Sequence, residues 1–150
     1  MKYSFRVSFL ARFMKNINFG HRNSKTRKPM AGVMIVEDDA ALREMLRDAL
    51  EKRKYTVITA ADGREALAKF RPSVVDLVIT DLLMPEEDGL MVIMKIREMK
   101  PSARLIAISG GGMAGPGSYL MMASKLGADA VISKPFLPSE LVQKVKELLG

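Results

Sequence analysis

Val74-Val75-Asp76-Leu77-Val78-Ile79-Thr80-Asp81-Leu82-Leu83-Met84-Pro85 is the stretch from which the fold is read. Leu77, Val78 and Ile79 form a continuous apolar run in a segment crowded with β-branched residues and too short for a helix. Such a run fits a strand buried on both faces, as in a parallel sheet. It stops abruptly at Asp81, and Pro85 with Glu86-Glu87-Asp88-Gly89 marks the turn beyond it. A carboxylate at the carboxyl end of a buried parallel strand stands where open α/β sheets bind ligands.

Outward from that strand, the same unit recurs. On the amino-terminal side, Gly32-Val33-Met34-Ile35-Val36 is a second buried-type run, ending in Glu37-Asp38-Asp39. A helix follows with Leu42, Met45, Leu46, Ala49 and Leu50 at inward spacing, and Asp39 is placed to cap it. Residues 55–60 form another strand, and Asp62 with Glu65 starts a short helix whose inner face is Ala66, Leu67 and Phe70.

On the carboxyl side, Asp88-Gly89 opens a helix running to about Met99 and stopped by Pro101. Leu90, Ile93 and Ile96 suffice for its inward stripe, leaving Met91 and Met94 outside. Strand 104–109 and the glycine-rich loop 110–117 come next. The helix 118–126 turns Tyr119, Met122, Ala123 and Leu126 inward, leaves Leu120 and Met121 outside, and closes at Gly127. Strand 130–133, the Lys134-Pro135-Phe136 turn and a helix opened by Pro138 complete the chain, the last with Leu141, Val142, Val145, Leu148 and Leu149 inward. Five strand-then-helix units predict an α/β fold with parallel strands, right-handed crossovers and helices on both faces. The first strand is followed by acids, not by the glycine fingerprint of a dinucleotide site.

Composition narrows the function classes. A chain of 150 residues fits one domain with a real core. It has no cysteine, so disulfides, thiolate metal sites and cysteine nucleophiles are excluded. No apolar run approaches the roughly 18 residues of a spanning helix. The net charge of +7 is local: residues 1–32 hold eight Lys and Arg and no acid, leaving 16 basic residues against 17 acids elsewhere. Residues 1–31 therefore read as a basic extension separable from the fold, disordered or dispensable. Membrane or nucleic-acid contact by residues 1–29 is not expected.

Four predicted strand ends carry chemistry at one sheet edge: Glu37-Asp38, Asp81, Ser109 and Lys134. Carboxylates this close repel unless a cation joins them. With oxygen ligands and no His or Cys at hand, a hard cation is expected, and Mg²⁺ fits best. Because Mg²⁺ keeps room for a phosphate oxygen, the set reads as a phosphoryl site. Lys134 supplies a point charge, Ser109 a hydroxyl donor, and Asp81 the nucleophile that forms an acyl phosphate. Taken singly, each residue could be a helix cap or a turn; the set in this order is what points to the chemistry.

Together, Ile35-Val36-Glu37-Asp38-Asp39, the segment from Asp76 to Pro85 with Asp88-Gly89, Ile106-Ala107-Ile108-Ser109 and Lys134-Pro135-Phe136 resemble the receiver domain of two-component response regulators over residues 32–150. The resemblance implies a flavodoxin-like, doubly wound, five-stranded parallel sheet of order 2-1-3-4-5. It implies Mg²⁺-dependent phosphorylation at Asp81 by a sensor histidine kinase or histidine phosphotransfer protein. Asp38, Asp81 and the backbone carbonyl of Leu83 would ligate the metal, Glu37 would act mostly through water, and Ser109 and Lys134 would meet the phosphoryl group. A cis Lys134-Pro135 bond, a cytoplasmic location and no enzymatic activity beyond self-phosphorylation and dephosphorylation are also implied.

With the last helix closing at Gly150, a stand-alone receiver without a DNA-binding or other output domain is expected, signalling through protein contacts with a downstream partner the sequence does not identify. Alternatives are a binding module of the same fold that is never phosphorylated, a phosphate sink, and a haloacid-dehalogenase-type phosphatase. The last is disfavoured because Leu82-Leu83 removes the second acid of its Asp-x-Asp pattern. Val131 stands where the family usually carries a switch aromatic, and Leu83 and Gly111 occupy positions that tune hydrolysis. The switch is therefore expected to act through Ser109, the glycine-rich loop and the fourth helix, with the output surface on the third or fourth helix among the outward methionines.

Overall fold

The computed structural model describes residues 30–84, 89–110 and 116–150. The expectations for residues 1–29, the acids at 86–88, the loop 111–115 with Gly111, and the side chains of Tyr119 and Leu120 lie outside the described residues. The elements alternate as β1 (Gly32–Val36), α1 (Ala40–Glu51), β2 (Thr56–Ala60), α2 (Gly63–Lys69), β3 (Val75–Asp81), α3 (Gly89–Met99), β4 (Arg104–Ser109), α4 (Pro116–Lys125), β5 (Ala130–Ser133) and α5 (Pro138–Leu149). All pairings are parallel, and the sheet order is β2-β1-β3-β4-β5, as expected.

Alternate strand residues enter opposite layers. Met34, Val36, Val78 and Leu105 pack with Phe70 just past α2, and with Ile93 and Ala123 from α3 and α4. Ile35, Leu77, Ile79 and Ile106 pack with Leu46, Leu50, Leu141 and Val145 from α1 and α5. The central strands are thus buried on both faces, whereas the edge strands β2 and β5 are half-exposed along much of their length. Between Gly32, paired to Val75, and Val33, paired to Leu77, the register skips Asp76. That bulged residue replaces the lost ladder bond with its side chain: Oδ2 accepts the Gly32 N–H at 3.0 Å.

The predicted caps are present. Asp39 Oδ1 accepts the Leu42 N–H at 3.1 Å, and Asp62 Oδ1 accepts the Glu65 N–H at 2.8 Å. Glu65 returns the contact through the Ala61 N–H, one residue before the cap. Past α4, Gly127 has φ +99, the left-handed region that favours glycine. The Lys134-Pro135 bond is cis.

Two inward assignments are corrected. Met45 is 46% exposed, because α1 buries only a narrow stripe through Leu46 and Leu50, and the thioether falls beyond its edge. Met122 is 49% exposed; α4 begins at Pro116, and among its described side chains Ala123 is the one that is buried. Met91, Met94 and Met121 are exposed as expected.

Candidate functional site

The parallel sheet brings the four predicted strand ends to one edge. Glu37 continues the β1–β2 ladder, its N–H donating to Ala60 O at 3.1 Å, and Asp38 follows it into the turn. Asp81 ends β3 beside Ile108 of β4, and Ser109 lies one residue further on. Lys134 leaves β5 with its N–H donating to Ser109 O at 2.8 Å. Oxygens of Glu37, Asp38 and Asp81 all lie within 4.8 Å of one another. Glu37 and Asp81 are buried and Asp38 is exposed.

Lys134 balances this charge. Its ammonium donates to Asp81 Oδ2 at 2.6 Å and to Glu37 Oε2 at 3.2 Å. Burial alone would lower the lysine pKa, but the hydrogen bond and charge of Asp81, then those of Glu37, outweigh it and hold the pKa above its ordinary value. One cation is too little for three carboxylates. Burial first, and the nearby Asp81 charge second, push the Glu37 carboxyl up to about 7. The other oxygens are held by backbone: the Leu83 N–H donates to Asp81 Oδ1 at 2.8 Å, and the Asp39 N–H to Glu37 Oε1 at 3.1 Å. Leu83 is thereby brought to the acid cluster as predicted, though by its N–H; the ligand role of its carbonyl belongs to the proposal below.

Ser109 is fully buried, and among the described residues its hydroxyl has no hydrogen-bond partner. A buried orphan hydroxyl costs about 1–3 kcal/mol, which makes Ser109 a candidate donor to a bound anion. A hard-oxygen donor set with unequal exposure and incomplete charge balance fits Mg²⁺, with Glu37, Asp38 and Asp81 as the residues able to hold it. Gly89 allows the site its compactness: a Cβ there would lie 2.1 Å from Asp81 O and 2.7 Å from Leu82 Cα.

Sequence reasoning missed Arg43, whose Nη1 donates to Glu37 O at 2.7 Å and lies 3.5 Å from Asp38 O. The available signal was its place one helical turn after Asp39, close enough to reach back over the acidic turn.

Fold and site together define a doubly wound parallel sheet with an acid cluster, a lysine and a buried serine at one edge, and comparisons with known proteins place that fold in a family. Residues 33–146 match the response regulator receiver domain family, and the chain belongs to that family. It is 37% identical to the chemotaxis protein CheY of Thermotoga maritima over 117 residues, covering 77% of this chain and 95% of that protein. It is also 37% identical to the transcriptional regulatory protein ResD of Bacillus subtilis, covering 78% of this chain and 47% of that protein. The chain thus spans about half the length of ResD. The crystal structure of the response regulator protein TrrA of Thermotoga maritima in complex with Mg(2+)-BeF superposes with a TM-score of 0.68 at 37% identity, covering 79% of this chain and 99% of that one.

Proposed function

We propose that this protein is a phosphoacceptor of a two-component phosphorelay, taking a phosphoryl group onto Asp81 from a sensor histidine kinase or histidine phosphotransfer protein. The buried Ser109 hydroxyl, unpartnered among the described residues, carries the reading. It stands next to a carboxylate cluster that already grips the only other phosphate-binding group predicted, Lys134. That arrangement is a set of donors in search of an anionic ligand.

In the transfer, an Asp81 carboxylate oxygen forms the new bond to phosphorus as the phosphorus–nitrogen bond of the donor's phosphohistidine breaks. The bonding pair returns to the imidazole nitrogen. The Leu83 N–H on Oδ1 holds the carboxylate in place. Lys134 leaves Asp81 Oδ2 to meet a phosphoryl oxygen, and Ser109 donates to another. Asp38, Asp81 and the Leu83 carbonyl would hold Mg²⁺, with Glu37 acting through water, and the bound ion would supply positive charge to offset that of the carboxylates and the phosphoryl group. The complex of TrrA with Mg(2+)-BeF supports this choice of ion. The chain is not an enzyme toward other substrates on this reading.

Output runs through protein contacts of the receiver surface, in the cytoplasm; near-complete coverage of CheY supports the first. Among the described residues, no helix is long and apolar enough to cross a membrane. The test is intact-protein mass after incubation with a small phosphodonor. Wild type gains one phosphoryl group with Mg²⁺ and none in excess chelator. Gain that persists with Asp81→Asn, or without Mg²⁺, would sink the reading.

A further inference from the structure

We propose that Arg43 is a positioning residue of the acid site, fixing the turn from which Glu37 and Asp38 reach a metal ion; this rests on the Mg²⁺ reading above. The turn needs such a device. Glu37 is buried and its carboxylate is held by the Asp39 N–H and Lys134. Asp38 is exposed, and among the described residues its carboxylate has no hydrogen-bond partner. Where it can reach therefore depends on how the backbone beneath it is held.

Arg43 holds that backbone. It sits in the first turns of α1, its own N–H donating to Asp39 O at 2.9 Å. Its side chain turns back over the helix start, donating to Glu37 O at 2.7 Å with Asp38 O at 3.5 Å. Two successive carbonyls are thus tied to a rigid element by one cation. Outer groups of this kind commonly govern metal affinity without touching the metal.

The two cations of the site differ in kind. Lys134 sits on carboxylate oxygens of Glu37 and Asp81, two of the three acids grouped where a metal could be held. Among the described residues the Arg43 side chain donates its hydrogen bonds to main-chain oxygens, with Glu65 near enough to feel its charge, so its hold persists when the site carboxylates are engaged. Its charge and its grip act in opposite directions. The charge repels a dication, whereas the grip presents the ligands to it. The sign of a substitution's effect therefore separates positioning from bystander electrostatics.

The experiment is calorimetric titration of the full chain with Mg²⁺ for wild type, Arg43→Met, Arg43→Lys and Asp38→Asn, each with a urea unfolding curve in excess chelator. Arg43→Met is expected to bind Mg²⁺ roughly 10-fold more weakly. Arg43→Lys, which keeps a charged donor for the same carbonyl, should recover part of the loss. Unchanged or tighter binding by Arg43→Met, while Asp38→Asn binds weakly, overturns the role of Arg43 and leaves the metal reading standing. Asp38→Asn binding as well as wild type overturns both. Should Arg43→Met fail to fold, Arg43→Lys decides alone: weaker Mg²⁺ binding at an unchanged urea midpoint supports positioning, and a shifted midpoint with unchanged affinity reduces Arg43 to a fold contact.

Discussion

Glu37→Gln should change how the metal-free protein responds to pH. In the folded state the Glu37 carboxyl is raised from the ordinary 4.5 to about 7, first by burial and then by Asp81. At about 1.36 kcal/mol per pH unit, that displacement amounts to about 3 kcal/mol. The folded protein holds this proton more tightly than the unfolded chain. The contribution is therefore fully present below pH 4.5, falls as pH rises, and is gone once pH passes about 7. Glutamine keeps the shape and cannot titrate, so the variant should lack this decline. Urea unfolding in excess chelator, followed by circular dichroism from acid to mildly alkaline pH, measures both curves. The difference between the wild-type and Gln slopes should sum to about 3 kcal/mol. Parallel curves would show that Glu37 is not held protonated by its surroundings. Adding Mg²⁺ should flatten the wild-type decline, since a metal takes the place of the proton in offsetting carboxylate repulsion.

Three further outcomes follow from the same geometry. Lys134→Met leaves Asp81 and Glu37 without their shared donor and should cost about 1.5–3 kcal/mol in chelator at pH 8, less at pH 5 where Glu37 carries its own proton; equal losses at both would contradict the charge balance described. Gly89→Ala places a methyl group against Asp81 O and Leu82 Cα, so about 1–3 kcal/mol of stability should be lost with slower phosphorylation; a neutral effect would mean that α3 can retreat from β3 without cost. Removing residues 1–29 should leave the thermal midpoint of the remaining chain within a degree or so of the original, because the described residues of β1–α5 build both core layers among themselves; a large drop in calorimetry would show that the basic extension docks on the domain.

The sheet was legible because short apolar runs at 33–36, 77–79 and 105–108 lead into polar residues that the parallel order must place together. The caps at Asp39 and Asp62 were legible because their side chains act within a few residues of chain. What escaped was set by distances across the fold. Met45 and Met122 satisfy helical spacing, yet whether a flexible thioether faces the sheet or water depends on how wide a stripe the neighbouring layer covers. Asp76 looks like an ordinary strand residue until the skipped register gives its carboxylate to Gly32. In the site, residue types alone named Glu37, Asp38, Asp81, Ser109 and Lys134. They could not show that Lys134 already spans two carboxylates, that the Ser109 hydroxyl has no partner among the described residues, or that Arg43 reaches back to the Glu37 carbonyl.

The central claim is that Asp81 receives the phosphoryl group. Borohydride reduction of the phosphorylated protein converts an aspartyl phosphate into homoserine, which peptide sequencing locates. Homoserine at Asp81 and nowhere else is the predicted result. Homoserine at Asp38 or another carboxylate, or phosphate retained on Ser109, would contradict the account.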